Sequence, residues 1–489
     1  MAQIPEFDVD RSLAGEAPLC VDLDGTLIRS DVLVESLAVL LKRRPLLLLW
    51  LPLWALRGRA YLKEQLGKRV EIDPSVLPYR DEVLEYLLAE RRSGRTVVLA
   101  TAAHTSIAHK VASELEIFDD VLATEAKENL SGQIKAERLA ERFGVGGYDY
   151  IGDSRKDLPV WRLARRAILA GPNARTRRQA VRHRNVTHVF DVRAGAVESI
   201  WHALRALRPY QWVKNLLLFV PLVLAHRLFD PAAAGSAALA FAMFSLAASS
   251  TYLLNDLLDL EADRRHERKR NRPLASGRLS LLAGMGLVPV LLGCSLALTW
   301  WLLPAAFLGV LCIYVLLTLA YSFHFKQRVL IDVVLLGGLY TLRIIAGATA
   351  IAVPMSFWLL AFSLFFFFSL ALLKRYSELL AVASNGGTKL HGRGYEPDDI
   401  PLLIGFGVAS GYTAVLVLAL YINSSAVRAL YADPQILWLL CPVFLYWISR
   451  AWLLAHRGQM HDDPVLFAIK DKVSVGIAAV CALILLLAL

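Results

Sequence analysis

Two acids two residues apart, Asp22 and Asp24, close an apolar run in "PLCVDLDGTL". Where such a run is a buried parallel strand, they stand at its carboxyl end, the edge at which ligand and catalytic groups collect. A second run, "RTVVLATAA", ends near Thr101; Lys135 follows in "SGQIKAERLAERFG"; a third run leads into "GDSRKD", with Asp153 and Asp157. Another constellation occupies "TYLLNDLLDLEADRRHERKRNRP" (251–273). On a helix Asn255, Asp259 and Asp263 recur every four residues, and Asp256 joins Asp259 and Asp263 at i+3 and i+7. The group therefore shares one face over two turns. Clustered carboxylates repel unless a cation lies among them, and Mg2+ is a hard, oxygen-seeking cation that suits them. Six Lys/Arg within nine positions follow directly.

Two architectures are needed to hold these residues. The 489-residue chain is 56% apolar with a formal net charge of +10, and from about 210 onward apolar runs dominate. That composition indicates a polytopic membrane protein with a soluble portion. The Lys/Arg lie between apolar spans, which favours a membrane over nucleic acid as the partner of the basic excess. Residues 1–200 instead alternate short β-rich runs, at 18–25, 95–103, 148–154 and 166–171, with helical patterns. Such alternation indicates an open α/β domain.

Nine candidate spans follow, at roughly 212–229, 235–254, 280–301, 304–323, 330–352, 356–373, 401–421, 435–455 and 472–489. Basic residues concentrate after the even-numbered spans, so the positive-inside rule places those connections and the N-terminal domain in the cytoplasm. A bacterial inner (cytoplasmic) membrane is the expected location. Cysteines 20, 294, 312, 441 and 481 form no CxxC pair, which argues against a zinc site or a disulfide framework. The first 18 residues have neither a basic n-region nor an apolar h-region, so no signal peptide is expected. The stretch "RRPLLLLWLPLWALRGRA" (43–60) is too short to span, since a crossing needs ~20 residues. Two readings of it stand equal: a segment lying on a membrane surface, and a buried helix of a cap domain.

A lone DxD carries little, but the ordered set Asp22, Asp24, Thr101, Lys135, Asp153, Asp157 resembles the haloacid dehalogenase superfamily of phosphatases over about 17–190. The resemblance implies a parallel sheet with a helical cap inserted at about 28–90. It implies Asp22 as a nucleophile that forms an aspartyl-phosphate and Asp24 as the acid that protonates the leaving alcohol and then activates water. Mg2+ would take Asp22, Asp153 and the Asp24 carbonyl. Thr101 and Lys135 would hold phosphoryl oxygens, and Asp157 would orient the loop or Lys135. All motif positions are filled, which favours an active phosphatase over a regulatory relic.

The NDxxDxxxD stretch followed by "RKRNRPLASGRLS" resembles the UbiA-type intramembrane prenyltransferases, over about 205–489. The resemblance implies an all-α nine-helix membrane domain (201–489), with Mg2+ on Asp256, Asp259 and Asp263 binding a diphosphate alongside Asn255. Members using prenyl diphosphates carry a second acid motif after span six; here "LLKRYSELLA" offers Lys374, Arg375 and only Glu378. Basic groups suit an anion better than a further cation. Together with "LRPYQWVKNLLLF", "YSFHFKQRVLIDV" and "DDPVLFAIKD", that departure looks like the decaprenyl-phosphate phosphoribosyltransferase branch, which joins a polyprenyl phosphate to phosphoribosyl pyrophosphate.

Lys214, Lys326, Lys374 and Arg375 are then expected to bind phosphate, and Tyr321 to contact ribose. Asp462, Asp463 and Lys470 lie on the same expected cytosolic face. Arg343, deep in span five, is costly there unless paired, either with a lipid phosphate or with an acid. The N-terminal domain, 1–200, would remove the 5-phosphate from the ribosyl lipid, linking the two halves. Two other classes compete: an aromatic prenyltransferase with an attached phosphatase, and a lipid transporter or binding protein with a regulatory soluble domain. A homo-oligomer is left open.

Overall fold

The structure, a computed structural model, describes residues 17–125, 129–191, 195–384, 386, 393–460 and 463–489. It comprises two compact units: Met1–Ala206 with Leu253–Gly286, and Leu207–Tyr252 with Leu287–Leu489.

The first unit is built on six parallel strands: β1 (Leu19–Val21), β2 (Val97–His104), β3 (Asp120–Thr124), β4 (Asp149–Gly152), β5 (Arg166–Ala170) and β6 (Val186–Phe190). Their order is β3-β2-β1-β4-β5-β6. Val21 pairs with Leu99 on one side and Ile151 on the other. The chain winds outward from β1 through β2 and β3, then returns to lay β4 on its other flank. Between β1 and β4 the winding reverses, which opens the crevice where ligands bind at the strands' carboxyl ends.

Alternation along the strands feeds two cores. Leu19, Val21, Val97 and Leu99 pack on one face, while Cys20, Val98, Ala100 and Tyr150 pack on the other. The four strands expected from apolar runs are present. β3 and β6 are additional, short and only partly buried.

The stretch 28–90, where a helical cap is expected, holds helices Val32–Arg43, Leu51–Leu56 and Arg59–Gly67, with a 3-10 segment Pro45–Trp50. Asp31 caps the first, its carboxylate accepting from the Leu33 N–H at 2.8 Å. Both readings of 43–60 have a physical basis. Trp54 is buried and Leu47, Leu48 and Leu51 pack on the domain core. Leu46, Leu49, Trp50, Leu53 and Leu56 are exposed.

The second segment of this unit packs on the same insert. Arg264, on helix Leu260–Arg265, donates to both Glu35 oxygens, Nη1 at 3.0 Å and Nη2 at 2.7 Å, and both side chains are buried. Gly277 sits at φ +69° with Arg29 against it: an added Cβ would lie 2.7 Å from the Arg29 Cβ.

The second unit is helical. Among the described residues, seven helices are long and apolar enough to cross a membrane: Pro231–Leu258, Leu281–Leu302, Ala305–Phe323, Ile331–Ala350, Phe357–Ser384, Pro397–Ile422 and Pro434–His456. The first of them ends, and the second begins, within the first compact unit. Pro464–Lys470 and Lys472–Ala488, bent by 83°, form an eighth if taken together. Nine were expected; with the bent pair counted the difference lies at the first, and without it also at the last. Residues Pro209–Phe219 form 3-10 turns and Val220–Leu224 a five-residue helix, with Pro209 and Pro221 at their starts. Proline favours such starts and interrupts a continuous helix. Lys214, Asn215 and Leu218 of this segment are buried. Its close approach to helix Ile331–Ala350 needs Gly347, where a Cβ would come within 2.0 Å of the Leu218 carbonyl oxygen.

Candidate active sites

The carboxyl ends of β1 and β4 bring the acids of the first unit together. One oxygen from each of Asp22, Asp153 and Asp157 lies within 4.8 Å of the others. Asp157 is fixed by the Tyr150 hydroxyl, which donates to Oδ1 at 2.9 Å. Its other oxygen accepts from the Ser154 N–H and hydroxyl at 3.0 and 2.9 Å. Lys135 reaches in from helix Gln133–Phe143 and donates to Asp22 Oδ1 at 2.8 Å and to the Tyr150 hydroxyl at 2.9 Å. Two glycines leave room for the cluster. A Cβ at Gly25 (φ +75°) would lie 2.5 Å from Asp153 Oδ2, and one at Gly152 would lie 2.7 Å from the Asp157 carboxyl carbon. Arg80 holds the Gly25 loop by donating Nε and Nη2 to its carbonyl at 3.2 and 3.0 Å.

Burial penalises ionised carboxylates. With Asp157 alongside, it pushes Asp22 up to about 6 despite Lys135. Burial and the neighbouring charges of Asp157 and Asp22 push Asp153 up to about 8. The Lys135 ammonium is held above its usual range by Asp22 and Asp157 in spite of its burial. Three converging oxygen donors whose mutual repulsion one lysine only partly offsets fit a hard divalent cation.

Asp24 lines a cleft with Ser36, Lys63, His104 and Ile107. Its Oδ1 accepts from the Val32 N–H at 2.8 Å. Burial, then Asp31 and Asp22, pushes its carboxyl up to about 8, so it keeps a proton near neutrality that it can donate. Lys63 Nζ donates to the Ala102 carbonyl at 2.5 Å and to Asn129 Oδ1 at 2.9 Å. Thr101 is buried within β2, three residues before its end, its hydroxyl accepting from the Ala103 N–H at 3.0 Å.

The acids of the second motif do not lie on one unbroken helix. Pro231–Leu258 ends just before Asp259, which begins helix Leu260–Arg265. Backbone bonds nevertheless carry across, Asp259 N–H to Asn255 O at 2.9 Å and Asp263 N–H to Asp259 O at 2.8 Å. Asp256 and Asp263 are buried, and the cation between them is Arg272, which donates to Asp256 Oδ1 at 3.0 Å and also to Asp263. Asn255 and Asp259 are half-buried beside them.

In the second unit, Asp463 draws together residues from four segments. Lys214 Nζ and Lys374 Nζ share its Oδ2 at 2.8 and 3.0 Å, and the Tyr340 hydroxyl donates to Oδ1 at 3.2 Å. Two ammonium groups against one carboxylate leave a positive excess. Arg375 belongs to another cluster: it is fully buried, donates to Asp332 at 2.5 Å and to Tyr321 at 3.1 Å, and pairs with Glu378. Tyr321 also accepts from Arg393, and Tyr395 donates to Asp332 at 2.6 Å.

Arg343 has neutral described partners. It donates to Asn215 Oδ1 at 2.9 Å, the Leu339 carbonyl at 2.6 Å and the Tyr314 hydroxyl at 3.3 Å, with its guanidinium 5.1–5.5 Å from the rings of Phe244, Tyr314 and Tyr340. Lys326 is half-buried in the turn Phe325–Gln327, and Lys470 is exposed at the end of Pro464–Lys470. Asp462 lies outside the described residues.

The model of the UbiA prenyltransferase family matches residues 216–475, just over half of the chain. The chain belongs to the UbiA prenyltransferase family. The haloacid dehalogenase-like hydrolase model matches residues 19–162, which identifies the N-terminal domain. This UbiA-family chain is 40% identical over 470 residues to an uncharacterized protein of Sinorhizobium fredii, covering 95% of this chain and 90% of that one. It is 41% identical over 286 residues to nodulation protein NoeC of Azorhizobium caulinodans, covering 58% and 91%. A decaprenyl-phosphate phosphoribosyltransferase of Mycolicibacterium smegmatis is 39% identical over 193 residues, 38% of this chain and 59% of that enzyme.

Several residues of these clusters were not singled out from sequence. Lys63, Arg80 and Tyr150 lie in the hydrolase domain, and Arg272, Tyr340 and Arg393 in the UbiA segment. Asp332 and Asn215 carried a signal, since a polar group within an apolar stretch calls for a partner.

Proposed function

We propose that the UbiA domain transfers 5-phosphoribose from phosphoribosyl pyrophosphate to a polyprenyl phosphate, and that the hydrolase domain then removes the 5-phosphate. The product is a polyprenyl-phosphoryl-ribose. The observation that carries this reading is the pair of ammonium groups on Asp463. Lys374 stands after the sixth expected span, where users of prenyl diphosphates have a second acid motif, and with Lys214 it leaves excess positive charge suited to a phosphate. The likeness to a decaprenyl-phosphate phosphoribosyltransferase supports the same donor and acceptor.

In the transfer, a lipid phosphate oxygen bonds to the anomeric carbon as the bond from that carbon to pyrophosphate breaks. Asp256, Asp259 and Asp263 would hold Mg2+, which neutralises pyrophosphate charge; Arg272, now bonded to two of these acids, would turn to the anion. Lys326, Arg375, Tyr321, Asp462 and Lys470 remain candidates for the substrate site, and Arg343 for the lipid phosphate, being buried with neutral partners.

In the hydrolysis, the Asp22 oxygen bonds to phosphorus as the ribose O5–phosphorus bond breaks, and Asp24 gives its proton to that oxygen. Asp24 then takes a proton from the water that cleaves the aspartyl-phosphate. Asp22, Asp153 and Asp157 would hold a Mg2+ that offsets phosphoryl charge. Lys135 keeps Asp22 ionised and oriented, and Thr101 contributes to the phosphoryl cradle. The hydrolase domain would work on the cytoplasmic face of a bacterial inner membrane.

The test supplies purified protein with Mg2+, polyprenyl phosphate and labelled phosphoribosyl pyrophosphate, followed by separation of the lipids. The native protein is expected to yield the dephosphorylated ribosyl lipid, Asp22→Asn the phosphorylated one, and Asp259→Asn neither. Absence of labelled lipid from folded native protein would remove the transferase reading. An unchanged product from Asp22→Asn would remove the phosphatase step.

A further inference from the structure

The segment Pro45–Leu56 turns two apolar faces in different directions. Leu47, Leu48, Leu51 and Trp54 pack into the hydrolase core. Leu46 and Leu49 are each 77% exposed, Leu56 84%, and Trp50 and Leu53 54% and 53%. Their spacing, three, one and three residues from 46 to 53 and three more to 56, keeps them along one side of about three helical turns, 3-10 to Trp50 and α from Leu51. Folding has already used the apolar groups needed to anchor the segment, so the outward row adds nothing to the domain's own core. Contiguous apolar surface of this kind marks an interaction site.

Charge identifies what covers it. Lys42, Arg43 and Arg44 precede the row and Arg57 follows it, all exposed. Among the residues between them, 45–56, none is charged. Basic residues at both ends of a Leu/Trp face match the polar boundary of an anionic bilayer, with Trp50 suited to the headgroup level. A second copy fits less well. An isologous contact of this face would set one basic flank against the other.

We propose that the outward face of 45–56 is a membrane-surface docking element that inserts into the headgroup boundary of an anionic bilayer. Leu49 and Leu53 enter the apolar layer, and Arg43, Arg44 and Arg57 contact lipid phosphates. The element holds the cleft at Asp24, which Val32, Ser36 and Lys63 of the same helical insert line, within reach of phosphomonoesters carried on lipids.

The test places a nitroxide label at Leu49→Cys or Leu53→Cys in the full chain, with Cys294, Cys312, Cys441 and Cys481 replaced by serine. Glu137→Cys, exposed on helix Gln133–Phe143, is the aqueous control. In proteoliposomes containing phosphatidylglycerol, collisions with oxygen should exceed those with a water-soluble nickel chelate at 49 and 53, with the ratio reversed at 137. Arg43→Gln with Arg44→Gln should lower the docked population by up to roughly fivefold per charge removed. Nickel-dominated relaxation at both 49 and 53 would overturn the proposal. So would low collision rates with both relaxants accompanied by dipolar broadening, which would show a second copy on the face. Both label sites are exposed, so the fold tolerates them. A measured Trp50→Phe difference in quenching by brominated phosphatidylglycerol gives an independent readout: equal quenching with and without Trp50 would also overturn it.

Discussion

Asp24 and Asp153 are carboxyls whose protons are held by their surroundings. Burial comes first for both, joined by Asp31 and Asp22 at Asp24 and by Asp157 and Asp22 at Asp153, and each is pushed up to about 8. Without metal, the folded state therefore binds more protons than the unfolded chain between about pH 4 and about pH 8. Stability should fall as pH rises through that window. A divalent cation bound by the ionised carboxylates reverses the penalty, and its uptake releases protons. Mg2+ is accordingly expected to raise the melting temperature of the hydrolase domain more near pH 8 than near pH 5. Intrinsic-fluorescence melts of the full protein in detergent measure this, and an equal shift at both would contradict a site on Asp22, Asp153 and Asp157.

The strands are held from below as well as filled from the sides. Asp149, the first residue of β4, accepts from Arg165 Nε and Nη2 at 2.9 Å each and pairs with Arg95, which in turn binds Glu90 at 3.0 Å. Asp149 and Arg95 are nearly inaccessible. Asp149→Ala would leave a buried guanidinium short of its counter-charge and should cost about 3–5 kcal/mol, read in a denaturant titration. Apolar runs made β1, β2, β4 and β5 legible in the sequence because those strands are buried on both faces. β3 and β6, with residues such as Asp120 and His188, lack that continuity.

The same contrast applies to the sites. Asp22, Asp24, Asp153 and Asp157 sit just past strand ends, so linear spacing reveals them. Arg272 returns to Asp256 across 16 residues, a separation that carries no periodic signal. Residues 212–229 had the length and apolarity of a span, but Pro209, Pro221 and the buried Lys214 and Asn215 produce 3-10 turns and a short helix instead.

At the scale of the whole molecule, the first compact unit is discontinuous along the chain, and the ion pairs Arg264–Glu35 and Arg265–Asp73 join its two segments. Arg264→Ala leaves Glu35 buried without its counter-charge, with only the Ser30 hydroxyl still donating to it, and is expected to cost about 3–5 kcal/mol, seen as faster proteolysis within 32–67. Arg264→Leu combined with Glu35→Leu should lose much less, because neither charge remains to be compensated. If the double variant is as protease-sensitive as the single one, the pair is not what holds the two segments together. The discontinuity also sets an order of events during synthesis. Residues after Ala206 must emerge as far as Gly286 before the unit has all its parts, a delay of about 4–16 s at typical elongation rates. In that interval the ribosome makes the first long apolar helix, so a nascent chain meets the membrane before this compact unit has its second segment.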